Sequence, residues 1–265
     1  MFTPPGPTAP ARRRAWLRLL HYWWPLALGW SLTVVMARVL GRAADPAGRL
    51  TLLSGILCAY SLDRAYGQAP SAITPRMHTV LRVVAVVSGM VCSAAALRLP
   101  AEAAVLAPVL AVAVLGYRRL KRLPVTKMVL LPLVWVWGSA ALPFSDGSWA
   151  GWRAMTQPIV VPLLLLVAAG SFLCDLKDEA HDRATGVWSL PARMGSVPTL
   201  RVAATLALVA TTLAVLGRWP TVAVGGAVLS ASTLAPSVLA SEIAGPLLVD
   251  VILTLPGLLL AVRPG

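Results

Sequence analysis

Nine apolar runs follow one another along the chain, each close to the roughly 20 residues a helix needs to cross bilayer hydrocarbon. They fall at 19–40, 48–66, 78–98, 101–117, 126–143, 157–175, 198–217, 220–239 and 244–262. The fourth is the shortest, and Pro236 interrupts the eighth. Together they occupy most of the 265 residues and leave no room for a separate soluble domain. Lipid gives the backbone no hydrogen-bond partner, so a spanning chain must be helical or a closed barrel. A barrel would read as alternating segments of about ten residues, whereas these runs are continuous. The sequence therefore predicts an all-α membrane protein, a bundle of about nine transmembrane helices. Composition excludes the alternatives: 12% of residues are charged and 58% apolar, where a soluble domain carries about 25% charged residues. No internal repeat is visible.

The first ten residues are rich in Pro and Thr and lead into Arg12-Arg13-Arg14. The apolar run behind them is too long for a signal-peptide core and has no convincing cleavage site, so it reads as an uncleaved first span. Of the 23 Lys and Arg residues, 16 fall on the side that holds the N-terminus and 7 on the other. The positive-inside rule then places the N-terminus in the cytoplasm of a multi-pass inner-membrane protein and, with nine spans, the C-terminus outside. Residues 1–18 read as a cytoplasmic tail and 19–265 as one transmembrane domain. Nucleic-acid binding is excluded as the use of the +13 net charge, because most of the chain would lie in lipid. Cys58, Cys92 and Cys174 sit in or at the end of apolar runs, without disulfide or metal-ligand spacing, and read as small packing residues. The sequence carries no sign of oligomeric state.

Five of the ten acids stand at two cytoplasmic helix ends: Asp63, and Asp175, Asp178, Glu179 and Asp182 in one run. Ionisable groups at such depths are costly and usually functional. Asp175, Asp178 and Asp182 at i, i+3 and i+7 share one face of a helix. Like charges so placed repel unless a cation lies between them. Carboxylate oxygens with open positions suit Mg²⁺, which binds one or two carboxylates plus substrate phosphates. The plainer alternative is a solvated polar loop with Lys177 and Arg183 as local ion-pair partners. Between the fourth and fifth runs, Tyr117-Arg118-Arg119-Leu120-Lys121-Arg122-Leu123-Pro124 sets four cations in five residues. A substrate phosphate and anionic lipid headgroups explain that stretch equally well on charge.

These stretches together resemble the UbiA superfamily of intramembrane prenyltransferases. Asp175-x-x-Asp178-x-x-x-Asp182-Arg183-x-x-Gly186, followed by Ser189-Leu190-Pro191-Ala192-Arg193-Met194-Gly195, resembles the family's second aspartate motif and its T-L-P-V-R-L-G tail. Cys174 stands where the family has Asn, and Ser189 where it has Thr. Tyr117-x-x-x-Lys121 is similar to the family's Y-x-x-x-K stretch, and the helix count matches. The first aspartate motif, N-x-x-x-D-x-x-x-D, survives only at its middle position: Asp63 is kept, while Ala59 and Gly67 replace the outer Asn and Asp.

The resemblance implies transfer of a prenyl group from a polyprenyl diphosphate to a hydrophobic, aromatic or lipid-like acceptor. It implies Mg²⁺ as cofactor, held by Asp63, Asp175, Asp178 and Asp182, with Asp63, Asp178 and Asp182 acting in diphosphate ionisation. Arg64, Tyr117, Lys121, Arg122 and Lys177 would contact the diphosphate. Tyr60, Trp135 and Asp250 would line the substrate pocket, with Tyr66 and Trp137 as further aromatic candidates, though core packing or an interfacial belt explains aromatic residues as well. A membrane terpene cyclase on the same fold, and a lipid-binding homologue that has lost turnover, are the alternatives. A transporter lacks the repeated halves that would support it.

Overall fold

Every one of the nine apolar runs folds as helix, and no strand occurs among the described residues. The computed structural model describes residues 9–66, 75–120, 123 and 126–262. Helix α1, Ala9–Leu40, opens with Pro10 in its first turn, where a missing N–H costs nothing. Its 32 residues span about 48 Å, well beyond the roughly 30 Å of hydrocarbon. The expected tail of residues 1–18 is thus helical from Ala9 onward. Ala, Arg and Leu are strong helix formers, and they carry the first span out past its apolar stretch.

Helices α2 (Pro46–Tyr66), α3 (Pro75–Ala96) and α4 (Ala101–Leu120) follow. The fifth run begins as a π-helical turn, Thr126–Leu130, and continues as α5, Leu131–Ala141. Pro132 explains the widened turn: it lacks an N–H and its ring collides with the carbonyl four residues back. After a 3₁₀ turn and the short α6 (Ala150–Met155) come α7 (Val160–Cys174), α8 (Glu179–Thr185), α9 (Leu190–Met194) and α10 (Ser196–Leu216). The eighth run breaks before Pro236 into α11 (Pro220–Ser232) and α12 (Pro236–Leu239), and α13 spans Ala244–Val262.

Five stretches are long and apolar enough to cross a membrane: Trp23–Leu40, Met77–Ala96, Val160–Thr185, Ser196–Leu216 and Ala244–Val262. Ala101–Val112, Met128–Phe144 and Pro220–Ser232 are shorter apolar helices. Helix α2 falls outside both groups because Thr51, Ser54, Ser61, Asp63 and Arg64 dilute its apolar content. Thr51 and Ser54 compensate locally by donating to the carbonyls of Ala47 and Leu50 four residues back. The chain is a multi-pass membrane protein.

Helix α7 lies at the centre and packs on α5, α10, α11 and α13, while α1 packs on α2, α5 and α13. Hydrophobic transfer does not drive helices together in lipid, so close packing of small residues does. The buried face of α10 is Thr199, Ala203, Ala207, Ala210 and Ala214, a strip of small side chains at helical spacing. Between α1 and α13 the backbones nearly touch: a Cβ on Gly257 would stand 2.5 Å from Ser31 Cα. Ser31 Oγ uses that approach, donating to Thr254 O and accepting from Gly257 N, each at 3.0 Å.

The end of the bundle formed by the α1–α2 and α5–α6 connections is tied by Glu102. Its Oε1 accepts the N–H groups of Asp146 (2.7 Å) and Gly147 (3.1 Å). Asp146 in turn accepts from Ser148 Oγ at 2.6 Å and from Arg42 at 2.8 Å. The Ser148 hydrogen bonds, and then Arg42, hold the Asp146 carboxyl well below the usual carboxylate range. Trp149 and Trp152, exposed and 6.2 Å apart between ring centroids, sit beside this loop as belt residues would.

Candidate active site

Opposite that end, the acid run does not continue α7 as a single α-helix. The chain tightens into a 3₁₀ turn, Asp175–Asp178, before α8 resumes α-helical geometry. The expected single α-helical face is corrected accordingly. In a 3₁₀ turn residues i and i+3 eclipse, so Asp175 and Asp178 are stacked along one line, and Asp182 follows from the next helix. Asp182 is buried, whereas Asp178 keeps 43% of its side chain exposed. His181 faces solvent.

The local cations are engaged as the plainer reading expected. Lys177 Nζ donates to both Asp178 oxygens at 2.8 and 2.7 Å. Arg183 donates to Glu179 Oε1 at 2.8 Å and to the carbonyl of Ala192 at 3.3 Å. The second contact links α8 to the Ser189–Gly195 segment. That segment needs its glycines: Gly186 ends α8 at φ +69°, and Gly195 lies at φ +86°, ψ 168°, a region essentially reserved for glycine. Ser189 is fully buried at the head of α9, and its Oγ has no hydrogen-bond partner among the described residues.

Asp250 of α13 belongs to the same neighbourhood. Cys174 Sγ is within electrostatic reach of Asp250, Asp175, Lys177 and Asp178. The acid of the last helix therefore lies in the neighbourhood of Cys174, where the acid run begins. Gly170, one helical turn before Cys174, packs against Val249 and Leu253 of α13, which sets that register.

Tyr60 and Trp135 also come together. Their rings are 6.0 Å apart at 56°, with Trp135 buried between α1, α2 and α5. Trp137, on the other side of α5, is exposed and cannot join them. Asp63 is exposed in the last turn of α2, and the neighbouring Arg64 is half-buried. Among the described residues no group of three or more His, Cys, Asp and Glu side chains stands ready to hold a metal. The stacked Asp175 and Asp178 offer carboxylate oxygens of the kind Mg²⁺ takes, a partial shell that phosphate oxygens would have to complete. Lys121, Arg122 and Gly67 lie outside the described residues, as do the side chains of Tyr66, Tyr117, Arg118 and Arg119.

Sequence reasoning missed the buried Ser189 hydroxyl and the link from Arg183 to Ala192. The signal for the last was present, since Arg183 and Ala192 both belong to the motif and its tail.

No protein-family model and no curated protein matches the chain. Among solved structures, the chain is similar to the apo structure of a UbiA homologue from Aeropyrum pernix K1. The two share 18% sequence identity with a TM-score of 0.62, over 92% of this chain and 98% of that one. The chain has a UbiA-like fold.

Proposed function

We propose that the protein transfers a prenyl group from a polyprenyl diphosphate to a hydrophobic acceptor within the inner membrane. The acid run and its glycine-shaped tail carry this reading: they sit at one end of a UbiA-like bundle, in the order the superfamily motif requires. Mg²⁺ is the cofactor of the proposal; when bound with the diphosphate it would neutralise leaving-group charge. Asp175 and Asp178 would hold it together with phosphate oxygens, and Asp182 and Asp63, the remnant of the first motif, would have to close on the ion to join them.

The chain's own groups supply the rest. Lys177, held on Asp178 in the resting protein, is placed to turn onto a phosphate oxygen, and Arg64 adds positive charge from α2. Both stabilise charge that grows on the diphosphate as the allylic carbon–oxygen bond breaks and the electron pair leaves with it. The Tyr60–Trp135 pair presents aromatic faces to the allylic cation, each worth about 0.5–2 kcal/mol. The acceptor then donates an electron pair to form the new bond and gives up a proton. Asp250 of α13, within electrostatic reach of Cys174 at the end of α7, would take that proton. The packed interior keeps water from the cation.

The test is product analysis with purified protein, geranyl, farnesyl and geranylgeranyl diphosphates, and Mg²⁺ or EDTA. Mg²⁺-dependent diphosphate release with prenyl alcohol as the product without acceptor, and a prenylated product with one, supports transfer. A cyclic hydrocarbon formed without acceptor would assign the chain to cyclisation instead. Absence of Mg²⁺-dependent release with every donor, together with Mg²⁺-independent donor binding, would overturn both.

A further inference from the structure

Within residues 179–195 two polar side chains are buried, Asp182 at 6% and Ser189 at 0% exposure. They belong to the two arms of one tight reversal. Asp182 lies in α8, one turn before Gly186, and Gly186 at φ +69° ends that helix and turns the chain back. Ser189 then opens α9. The two short helices pack on each other, and α9 also packs on the Asp175–Asp178 turn and on α10. Arg183 ties the exposed side of the reversal through its 3.3 Å hydrogen bond to the carbonyl of Ala192. Asp182, the residue before it, takes the buried side.

Ser189 is the group on that side whose hydrogen bonding does not close. It holds the N-cap position of α9 with the extended backbone of a cap, φ −145°, ψ 154°, yet its side chain caps nothing. A serine there ordinarily gives its oxygen to the N–H of the second or third helical residue. The second is Pro191, which has no N–H. Ser189 Oγ finds no other partner among the described residues. Thr199, equally buried in α10, shows the contrast: its hydroxyl donates to Gly195 O at 2.8 Å. A buried donor left unmade is costly and calls for a partner.

Metal-ligating carboxylates are themselves oriented by hydrogen bonds from residues behind them. In the reading above Asp182 has to close on the ion, and a carboxylate that does so keeps its second oxygen for a donor at its back. We propose that Ser189 is this positioning residue: its hydroxyl donates to the Asp182 carboxylate when Mg²⁺ and the diphosphate are bound, and holds it in the ligating orientation. The inference rests on the prenyl-diphosphate reading. It adds a role for the tail of the motif, which brings no metal ligand of its own.

The test titrates the full-length protein in detergent with Mn²⁺, which takes the same oxygen ligands as Mg²⁺ and reports its binding by electron paramagnetic resonance. Farnesyl S-thiolodiphosphate, a donor analogue that resists ionisation, is present throughout. Ser189→Ala is expected to weaken Mn²⁺ binding at least tenfold. The melting temperature of the metal-free Ser189→Ala protein is expected to equal or exceed that of wild type, because the variant removes an unmade buried donor. Asp182→Asn is expected to weaken Mn²⁺ binding as well, and adding Ser189→Ala to it to cost less than a further twofold, since the two residues act through one bond. Unchanged Mn²⁺ binding in Ser189→Ala would overturn the proposal. So would a fall in the metal-free melting temperature, which marks a structural hydroxyl, or losses that multiply in the double variant. Donor-dependent Mn²⁺ binding by wild type with an unaffected Ser189→Ala defeats the positioning role alone. Wild type without donor-dependent Mn²⁺ binding defeats the prenyl-diphosphate reading itself, and this role with it.

Discussion

Lys177 Nζ bridges both carboxylate oxygens of Asp178, at 2.8 and 2.7 Å, one residue away in the same 3₁₀ turn. The lysine is mostly buried and the aspartate 43% exposed. A pair this open to water adds little to stability. Its value lies in position: a cation is parked against an acid that the proposed reaction needs for a metal. In the proposed reaction, arrival of a diphosphate would give Lys177 a more highly charged partner and free Asp178.

Lys177→Gln is therefore expected to raise the KM for the prenyl diphosphate about tenfold, a loss of about 1.4 kcal/mol of binding. Thermal stability in detergent should stay unchanged. Diphosphate release measured against donor concentration checks this, and an unaltered KM would leave Lys177 as a local ion-pair partner only.

The Tyr60–Trp135 contact separates packing from chemistry. Tyr60→Phe keeps the ring and is expected to hold kcat within about threefold. Tyr60→Leu removes the π face and is expected to lower kcat roughly tenfold, within the range of one cation–π contact. Equal kcat for the two variants would assign the tyrosine to packing.

Gly195 sits at φ +86°, ψ 168°. Gly195→Ala is expected to destabilise the α8–α10 connection by about 1–3 kcal/mol, the usual cost of a residue held in such a region. Proteolysis of the 186–196 segment should report it as faster cleavage, with the rest of the bundle protected.

Gly257→Ala tests the closest helix crossing. Its added methyl would stand 2.5 Å from Ser31 Cα and Oγ, and the backbone cannot yield without separating α1 from α13. A fall of several degrees in the detergent melting temperature is expected, larger than for Ser31→Ala, which removes only the hydroxyl contacts.

The nine runs were legible because bilayer thickness fixes helix length, and apolar residues mark it directly. Pro236 was legible as a break for the same reason: it cannot donate in a helix. The second run was legible as a span, and its Ser54 and Thr51 satisfy their hydroxyls within α2. Asp175, Asp178 and Asp182 were visible as a cluster, but the 3₁₀ turn was not. Spacing at i and i+3 suits both helix types, and the tightening arises where α7 ends. Lys177 was legible as a local ion-pair partner, but its bidentate bridge to Asp178 was not: adjacent residues on an α-helix diverge, and the turn brings these two together. Tyr60 and Trp135 are 75 positions apart, so their contact needed the packing of α2 on α5. Asp250 could be placed inside the bundle from the cost of a charge in lipid, but its nearness to Cys174 came from the fold.

The most direct measurement is Mg²⁺-dependent diphosphate release by wild type and Asp178→Asn, with geranyl, farnesyl and geranylgeranyl diphosphates. Asp178 is partly exposed, so the Asn variant should fold. Expected is release by wild type that EDTA abolishes, and a loss of at least a hundredfold in Asp178→Asn. Full release by Asp178→Asn, or release indifferent to Mg²⁺, would contradict the assignment of the acid run to diphosphate ionisation.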